Sequence, residues 1–90
     1  MGAGALVIVE TPSHADELAS AWRDYPVSGA RHLVLAALGA RRNARMDRSY
    51  GRTHAARQAA RVAGRLWAAA FELDPCAATS MRDAAARNGW

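Results

Sequence analysis

The sequence contains no lysine, a single cysteine and only three prolines among its 90 residues. The lone Cys76 cannot form an internal disulfide, so packing has to hold the fold together. No apolar run approaches the roughly 18 residues that span a bilayer. The apolar start at residues 3–9 lacks a basic segment and a cleavage site, which argues against a signal peptide. We therefore expect a cytoplasmic protein that has no membrane partner.

Large apolar side chains are also scarce, because alanine supplies 23 of the 90 residues. A chain of this length can fill one core, which predicts a single small helical domain over residues 1–90. Alanine favours helix but buries little area, and self-association would enlarge such a thin core. The composition thus predicts a homo-oligomer, most simply a homodimer, or a tight complex with a partner.

Local signals predict a mainly α fold that begins with one short β-strand. Thr11 and Pro12 are typical of a helix start, while Pro26, Gly51 and Pro75 are expected to end the helices that precede them. Ser80 resembles the N-cap of a last helix, which Asn88 and Gly89 would close with Trp90 packed against it. The predicted elements are a strand over about 5–10 and helices over about 12–25, 29–50, 54–73 and 81–88.

Residues 32–38 can be interpreted in two ways, because a short apolar run suits a strand or a buried helix. The alternative fold is therefore α+β, with a second strand near 32–38. The run Leu33-Val34-Leu35-Ala36-Ala37-Leu38, placed 21 residues after Pro12, resembles helix B of the ribbon-helix-helix repressors. That resemblance covers residues 5–38 and implies a dimer paired through its strands. Its DNA-reading positions would be Leu6, Ile8 and Glu10, and these residues depart from the polar pattern of the family.

Arginine accounts for all twelve basic residues, and eight of them fall between residues 41 and 65 with a single acidic residue, Asp47. On one continuous helix, four of the arginines would lie within about 60° of each other. Guanidinium groups bind phosphate and carboxylate in a bidentate manner. The row could equally be a solvated face, or be neutralised by the acidic first helix. The predicted binding residues for nucleic acid or an acidic partner are Arg41, Arg42, Arg45, Arg48, Arg52 and Arg57.

The third predicted helix has two apolar faces at helical spacing. One face carries Val62 and Leu66, and we expect it to lie in the core. The opposite face combines a small-residue notch with aromatic side chains, as a protein interface would. The predicted interface residues are Ala60 and Gly64, which form the notch, Trp67 and Phe71 of the same face, and Trp90 after the last helix.

The remaining reactive side chains form no catalytic or metal-binding pattern. His14, His32, His54 and Cys76 match no spacing of zinc ligands. No nucleophile, base and acid occur in the sequence at spacings that would suggest a catalytic site. The sequence therefore predicts a non-enzymatic protein without a catalytic site, metal, cofactor or small-molecule substrate.

These observations lead to two functional hypotheses. The first is a dimeric nucleic-acid-binding protein that contacts phosphates through the Arg-rich helix, with little reading of base sequence. The alternative is a protein-interaction module that uses the apolar-aromatic face with an arginine rim. A phage- or plasmid-encoded inhibitor or accessory protein, similar in kind to an anti-CRISPR protein, is an example of the second class.

Overall fold

A computed structural model of the protein describes residues 9–90, in which four helices follow one another with short turns. They are α1 (Pro12–Ala21), α2 (Pro26–Ser49), α3 (Thr53–Leu73) and α4 (Pro75–Arg87). The prediction of a mainly α fold is therefore confirmed. The strand predicted for 5–10 lies largely outside the described residues, and Val9 and Glu10, which are described, are not in a strand.

Each proline of the chain begins a helix. Pro12, Pro26 and Pro75 all occupy the first helical turn, where the missing N–H costs nothing and the fixed φ suits the helix. The prediction that Pro26 and Pro75 only end the preceding helices was therefore incomplete. As a result α2 and α4 begin earlier than the predicted residues 29 and 81, and α1 ends at Ala21 instead of residue 25.

Side-chain caps explain two of the helix starts. The Thr11 hydroxyl accepts a hydrogen bond from the His14 N–H at 3.1 Å, as the sequence predicts. The Asp74 carboxylate accepts one from the Ala77 N–H at 2.9 Å. Ser80, the predicted cap of the last helix, instead lies inside α4. Asp74 is the cap because the extended residue before Pro75 leaves its carboxylate beside the first free N–H groups.

Residues 32–38 are helical, so the alternative α+β fold is wrong. Leu33, Val34, Ala37 and Leu38 are buried at the spacing of one helix face. The run looked compatible with a strand because it is apolar and short, and only packing against other helices distinguishes the two. Gly51, with a φ of 77°, separates α2 from α3 as predicted.

Helix α3 contacts all three of the other helices, most extensively α2. Val62 and Leu66 are completely buried, which confirms the predicted core face. Much of the remaining core is alanine, including Ala37 of α2 and Ala70 of α3, both with no exposed surface. Such small side chains allow neighbouring helices to approach closely, so a tight core forms without many large residues.

The two short helices cover the α2–α3 pair only in part. Helix α1 packs mainly against α3, and α4 packs mainly against α2. Helix α4 has 13 residues against 24 in α2, so it is about 20 Å long beside about 36 Å. The residues after α4, Gly89 and Trp90, lie against Leu38 and Arg42. The last part of α2, beyond about residue 42, therefore extends past α4.

The structure offers no support for the predicted homodimer, since it describes a single chain. Over residues 9–90, none of the helices combines the length and the apolar character needed to cross a membrane.

Candidate nucleic-acid interface

The central feature of the site is a stripe of α2 that changes from apolar to basic along the helix. Val34 and Leu38 are buried. Arg41, Arg45 and Arg48, here called the basic stripe, continue the same face at alternating spacings of four and three residues. The change occurs where α4 ends. This face of α2 is thus apolar beside α4 and charged beyond the end of α4.

The basic stripe is exposed and lacks an internal counter-charge. Arg41, Arg45 and Arg48 are all exposed. Across residues 9–90, no carboxylate lies within 4.0 Å of their guanidinium groups. The first eight residues contain no aspartate or glutamate in their sequence. The described side chains therefore leave the charge of the basic stripe unpaired.

Arg52 does not belong to the stripe, which corrects the predicted row of four. The prediction assumed a continuous helix through residue 52, but α2 ends at Ser49 and Arg52 immediately precedes α3. Its guanidinium lies 3.7 Å from the Asp47 carboxylate and 5.1 Å from the centre of the Tyr50 ring. A local salt bridge thus occupies Arg52.

Arg42 lies beside the stripe and is packed against Trp90. The Arg42 guanidinium carbon is 4.0 Å from the centre of the Trp90 ring, within cation–π range. The two residues line a small groove of about 90 Å³ together with Leu38, Arg41, Arg45 and Gly89. Three arginines and one tryptophan therefore share this groove.

The turn after α4 holds Trp90 in place. Gly89 has a φ of 86°. The Gly89 N–H donates to the Ala86 carbonyl, and the Trp90 N–H donates to the Ala85 carbonyl at 3.0 Å. This pattern is the Schellman motif, which ends a helix with a left-handed glycine and an apolar contact. The prediction that Asn88 and Gly89 close the last helix is confirmed.

The arginines of α3 are exposed but differ in their partners. Arg57 and Arg61 form no salt bridge with the described carboxylates, whereas Arg65 pairs with Asp16 of α1. The acidic first helix thus pairs with α3. Among the described residues, no salt bridge joins α1 to α2, which was the alternative left open by the sequence.

The predicted protein interface is only partly assembled. Ala60 and Gly64 are exposed, and a Cβ added at Gly64 would meet nothing within 4 Å. Trp67 and Phe71 stack with ring centres 6.1 Å apart, but both are half-buried against the core. Trp90 lies on α2 instead, beside Arg42. The small-residue notch is therefore open, and the aromatic residues mainly seal the fold.

A larger cavity of about 420 Å³ was not foreseen from the sequence. It lies between the ends of α2 and α3 nearest their connecting turn, and the segment before α1 borders it. Its lining includes Val9, Met46, Asp47, His54 and Gln58. The Gln58 side chain donates a hydrogen bond to the Glu10 carbonyl at 3.2 Å. No sequence pattern marks this cavity, because its residues come from three separate segments.

The histidines and the cysteine do not converge. His32 packs its ring against Trp22, with ring centres 5.1 Å apart, and Cys76 is exposed on α4. Within the described part of the chain, no group of three or more His, Cys, Asp or Glu residues could hold a metal ion.

Comparisons with known proteins do not assign a family to this chain. No family model matches the sequence, and neither curated proteins nor solved structures give a significant match. Functional inference therefore rests on the geometry of the basic stripe and its surroundings.

Proposed function

We propose that the protein binds nucleic acid by contacting backbone phosphates through the basic stripe, with Arg42 beside it and the exposed Arg57 of α3 as a further contact. The observation that carries this proposal is the exposure of Arg41, Arg45 and Arg48 on one helix face without a carboxylate partner among the described residues. Guanidinium groups in such a row match a chain of phosphates in charge and hydrogen-bonding geometry.

Spacing along the helix supports a shared ligand for the three arginines. Arg41 and Arg45 are about 6 Å apart along the axis, and Arg45 and Arg48 about 4.5 Å. Both separations are below the Debye length of about 8 Å at physiological salt, so their positive potentials reinforce one another. An anion that meets all three at once relieves their mutual repulsion. A polyanion therefore suits this face better than isolated small anions do.

The contacts expected here provide affinity with little selection of base sequence. Arginine contacts to phosphate position a protein on nucleic acid but do not distinguish bases. Among residues 9–90, α4 ends before the stripe and places no helix beside it to read base edges. The protein is proposed to be a non-enzymatic binder of the nucleic-acid backbone.

Salt dependence tests this proposal directly. For duplex DNA, three phosphate contacts predict that the logarithm of the binding constant falls by about 2.7 per tenfold increase in salt. Fluorescence anisotropy with a labelled duplex at several salt concentrations measures that slope. A flat salt dependence, or no binding of either the duplex or a single-stranded oligonucleotide of the same length by protein at about 10 µM in low salt, would refute the proposal.

A matched charge control separates the stripe from the overall positive charge. The triple variant Arg41→Gln, Arg45→Gln, Arg48→Gln should lose most of the binding and most of the salt slope. The control variant Arg23→Gln, Arg31→Gln, Arg61→Gln removes the same charge from other exposed positions. It should retain the slope. Equal losses in the two variants would mean that net charge alone, and not this face, attracts the polyanion.

The protein-interaction alternative remains a prediction with weaker support. Trp67 and Phe71 are half-buried against the core, which leaves less of each ring for a partner. A partner protein that binds equally well to the Arg41, Arg45 and Arg48 triple variant would favour this alternative. Analytical ultracentrifugation would test the homodimer that was predicted from the thin core.

A further inference from the structure

Trp90 is an aromatic residue that lines a groove beside the basic stripe. The residue is 45% exposed although Arg42 covers one face of its ring. Arg41 and Arg45 border the same groove. An aromatic surface and two unpaired guanidinium groups therefore open onto one place.

The position of Trp90 is defined by the backbone and not by the side chain alone. Its N–H is bonded to the Ala85 carbonyl, and Gly89 adopts the left-handed conformation that the turn requires. Ordering of an aromatic side chain before binding lowers the entropy lost when a ligand stacks on it. The ring is thus prepared to receive a flat ligand at the edge of the stripe.

We infer that the nucleic acid bound by this face is single-stranded, and that one of its bases stacks on Trp90 while neighbouring phosphates pair with Arg41 and Arg45. This inference rests on the proposed function. Proteins that bind single strands combine a basic groove with aromatic rings on which bases stack. In a duplex the bases are paired and stacked on each other, so a ring at the surface gains no base without unpairing it.

Tyr50 provides an internal comparison. Tyr50 is more exposed than Trp90, and the Arg52 guanidinium carbon lies 5.1 Å from the centre of its ring. The Asp47 carboxylate lies 3.7 Å from the same arginine and offsets its charge. A phosphate is therefore attracted to the groove of Trp90 and not to Tyr50.

The experiment compares Trp90→Ala, Trp90→Phe and Tyr50→Ala with the unaltered protein. The probes are a labelled oligothymidylate of about 15 nucleotides, a duplex of the same length, and inorganic polyphosphate, which has phosphates but no bases. Loss of one base–aromatic stack predicts that Trp90→Ala binds the oligothymidylate about fivefold to 150-fold more weakly. Trp90→Phe should recover most of this loss, and Tyr50→Ala should bind as the unaltered protein does.

The other two probes separate stacking from charge. Binding of Trp90→Ala to polyphosphate and to the duplex should remain within about twofold of the unaltered protein, because the stripe is intact. Far-UV circular dichroism checks that each variant is folded. If Trp90→Phe binds the oligothymidylate no better than Trp90→Ala does, the loss does not come from stacking and the inference is overturned.

Two further results would also overturn the inference, with different consequences for the proposed function. If Trp90→Ala weakens all three probes equally, or none of them, base stacking is refuted while phosphate binding by the stripe stands. If the unaltered protein binds none of the three probes at low salt, the proposed function fails as well.

Discussion

Gly29 provides the sharpest test of how the helices pack. It is buried near the start of α2, where α1, α2 and the end of α3 meet. A Cβ added at Gly29 would lie 2.5 Å from the Trp22 Cβ and 3.1 Å from the Leu73 Cδ1. The Trp22 Cβ is attached directly to the backbone of the segment after α1, so a rotamer change does not relieve the contact.

The expected magnitude follows from two opposing effects. Alanine in place of glycine inside a helix stabilises it by up to about 1 kcal/mol. Overpacking of a tight interior costs about 1–3 kcal/mol. Gly39 of α2 has nothing within 4 Å of an added Cβ, so Gly39→Ala receives only the favourable effect. We therefore expect Gly39→Ala to be more stable than Gly29→Ala by about 1–3 kcal/mol, with Gly29→Ala at or below the stability of the unaltered protein.

Thermal and denaturant unfolding followed by far-UV circular dichroism measures this difference. For a domain of this size, 1 kcal/mol corresponds to a shift of about 4–8 °C in Tm. Gly64→Ala is a second control, because Gly64 also has open space beside it. A Gly29→Ala variant as stable as Gly39→Ala would show that α1 does not pack closely on α2 at Trp22.

Three further predictions concern the core, a helix cap and an ion pair. Leu66→Ala should lower the free energy of unfolding by about 2–5 kcal/mol, because Leu66 is completely buried; a loss below 1 kcal/mol in denaturant titration would place it outside the core. Asp74→Ala should lower the free energy of unfolding by about 0.5–2 kcal/mol, because α4 loses its cap. Ser80→Ala should change it by less than about 0.5 kcal/mol. A larger loss for Ser80→Ala than for Asp74→Ala would favour a helix that starts near residue 81. Asp16→Asn should lower the free energy of unfolding by less than about 1 kcal/mol, since both side chains of the Asp16–Arg65 pair are more than half exposed. The loss should be smaller in high salt, and a larger loss that persists there would show that the pair is not a screened surface salt bridge.

The basic stripe illustrates what a helical pattern can and cannot predict. The spacing of Arg41, Arg45 and Arg48 is enough to place them on one face, because an α-helix has a constant rotation per residue. Arg52 was assigned to that face by extending the rotation through Gly51. The positive φ of Gly51 ends the helix, so the following residues no longer share its periodicity. A pattern on a helix is therefore valid only up to the point where the helix ends.

Prolines caused most of the errors in the predicted helix boundaries. Proline both disfavours helix in the residue before it and fits the first turn of the helix after it. Pro26 and Pro75 were assigned to the first role, whereas the structure gives them the second as well. Asp74 with Pro75 is a local signal of the same kind as Thr11 with Pro12, namely a capping side chain followed by proline. Tyr25 before Pro26 makes no side-chain cap, so no capping residue marks the start of α2 in the sequence.

The sequence by itself determined the mainly helical class, the Thr11 cap, the breaks at Gly51 and Gly89, and the buried face of α3, because each depends on neighbours within one or two helical turns. Only the tertiary structure decided that residues 32–38 are helical, that Asp16 pairs with Arg65, and that Trp90 lies against Arg42. Those contacts join residues far apart in the chain, and their energies depend on which surfaces meet. The short α4 ends beside Leu38 and Arg42 of the longer α2, which is why none of the described helices covers the stripe.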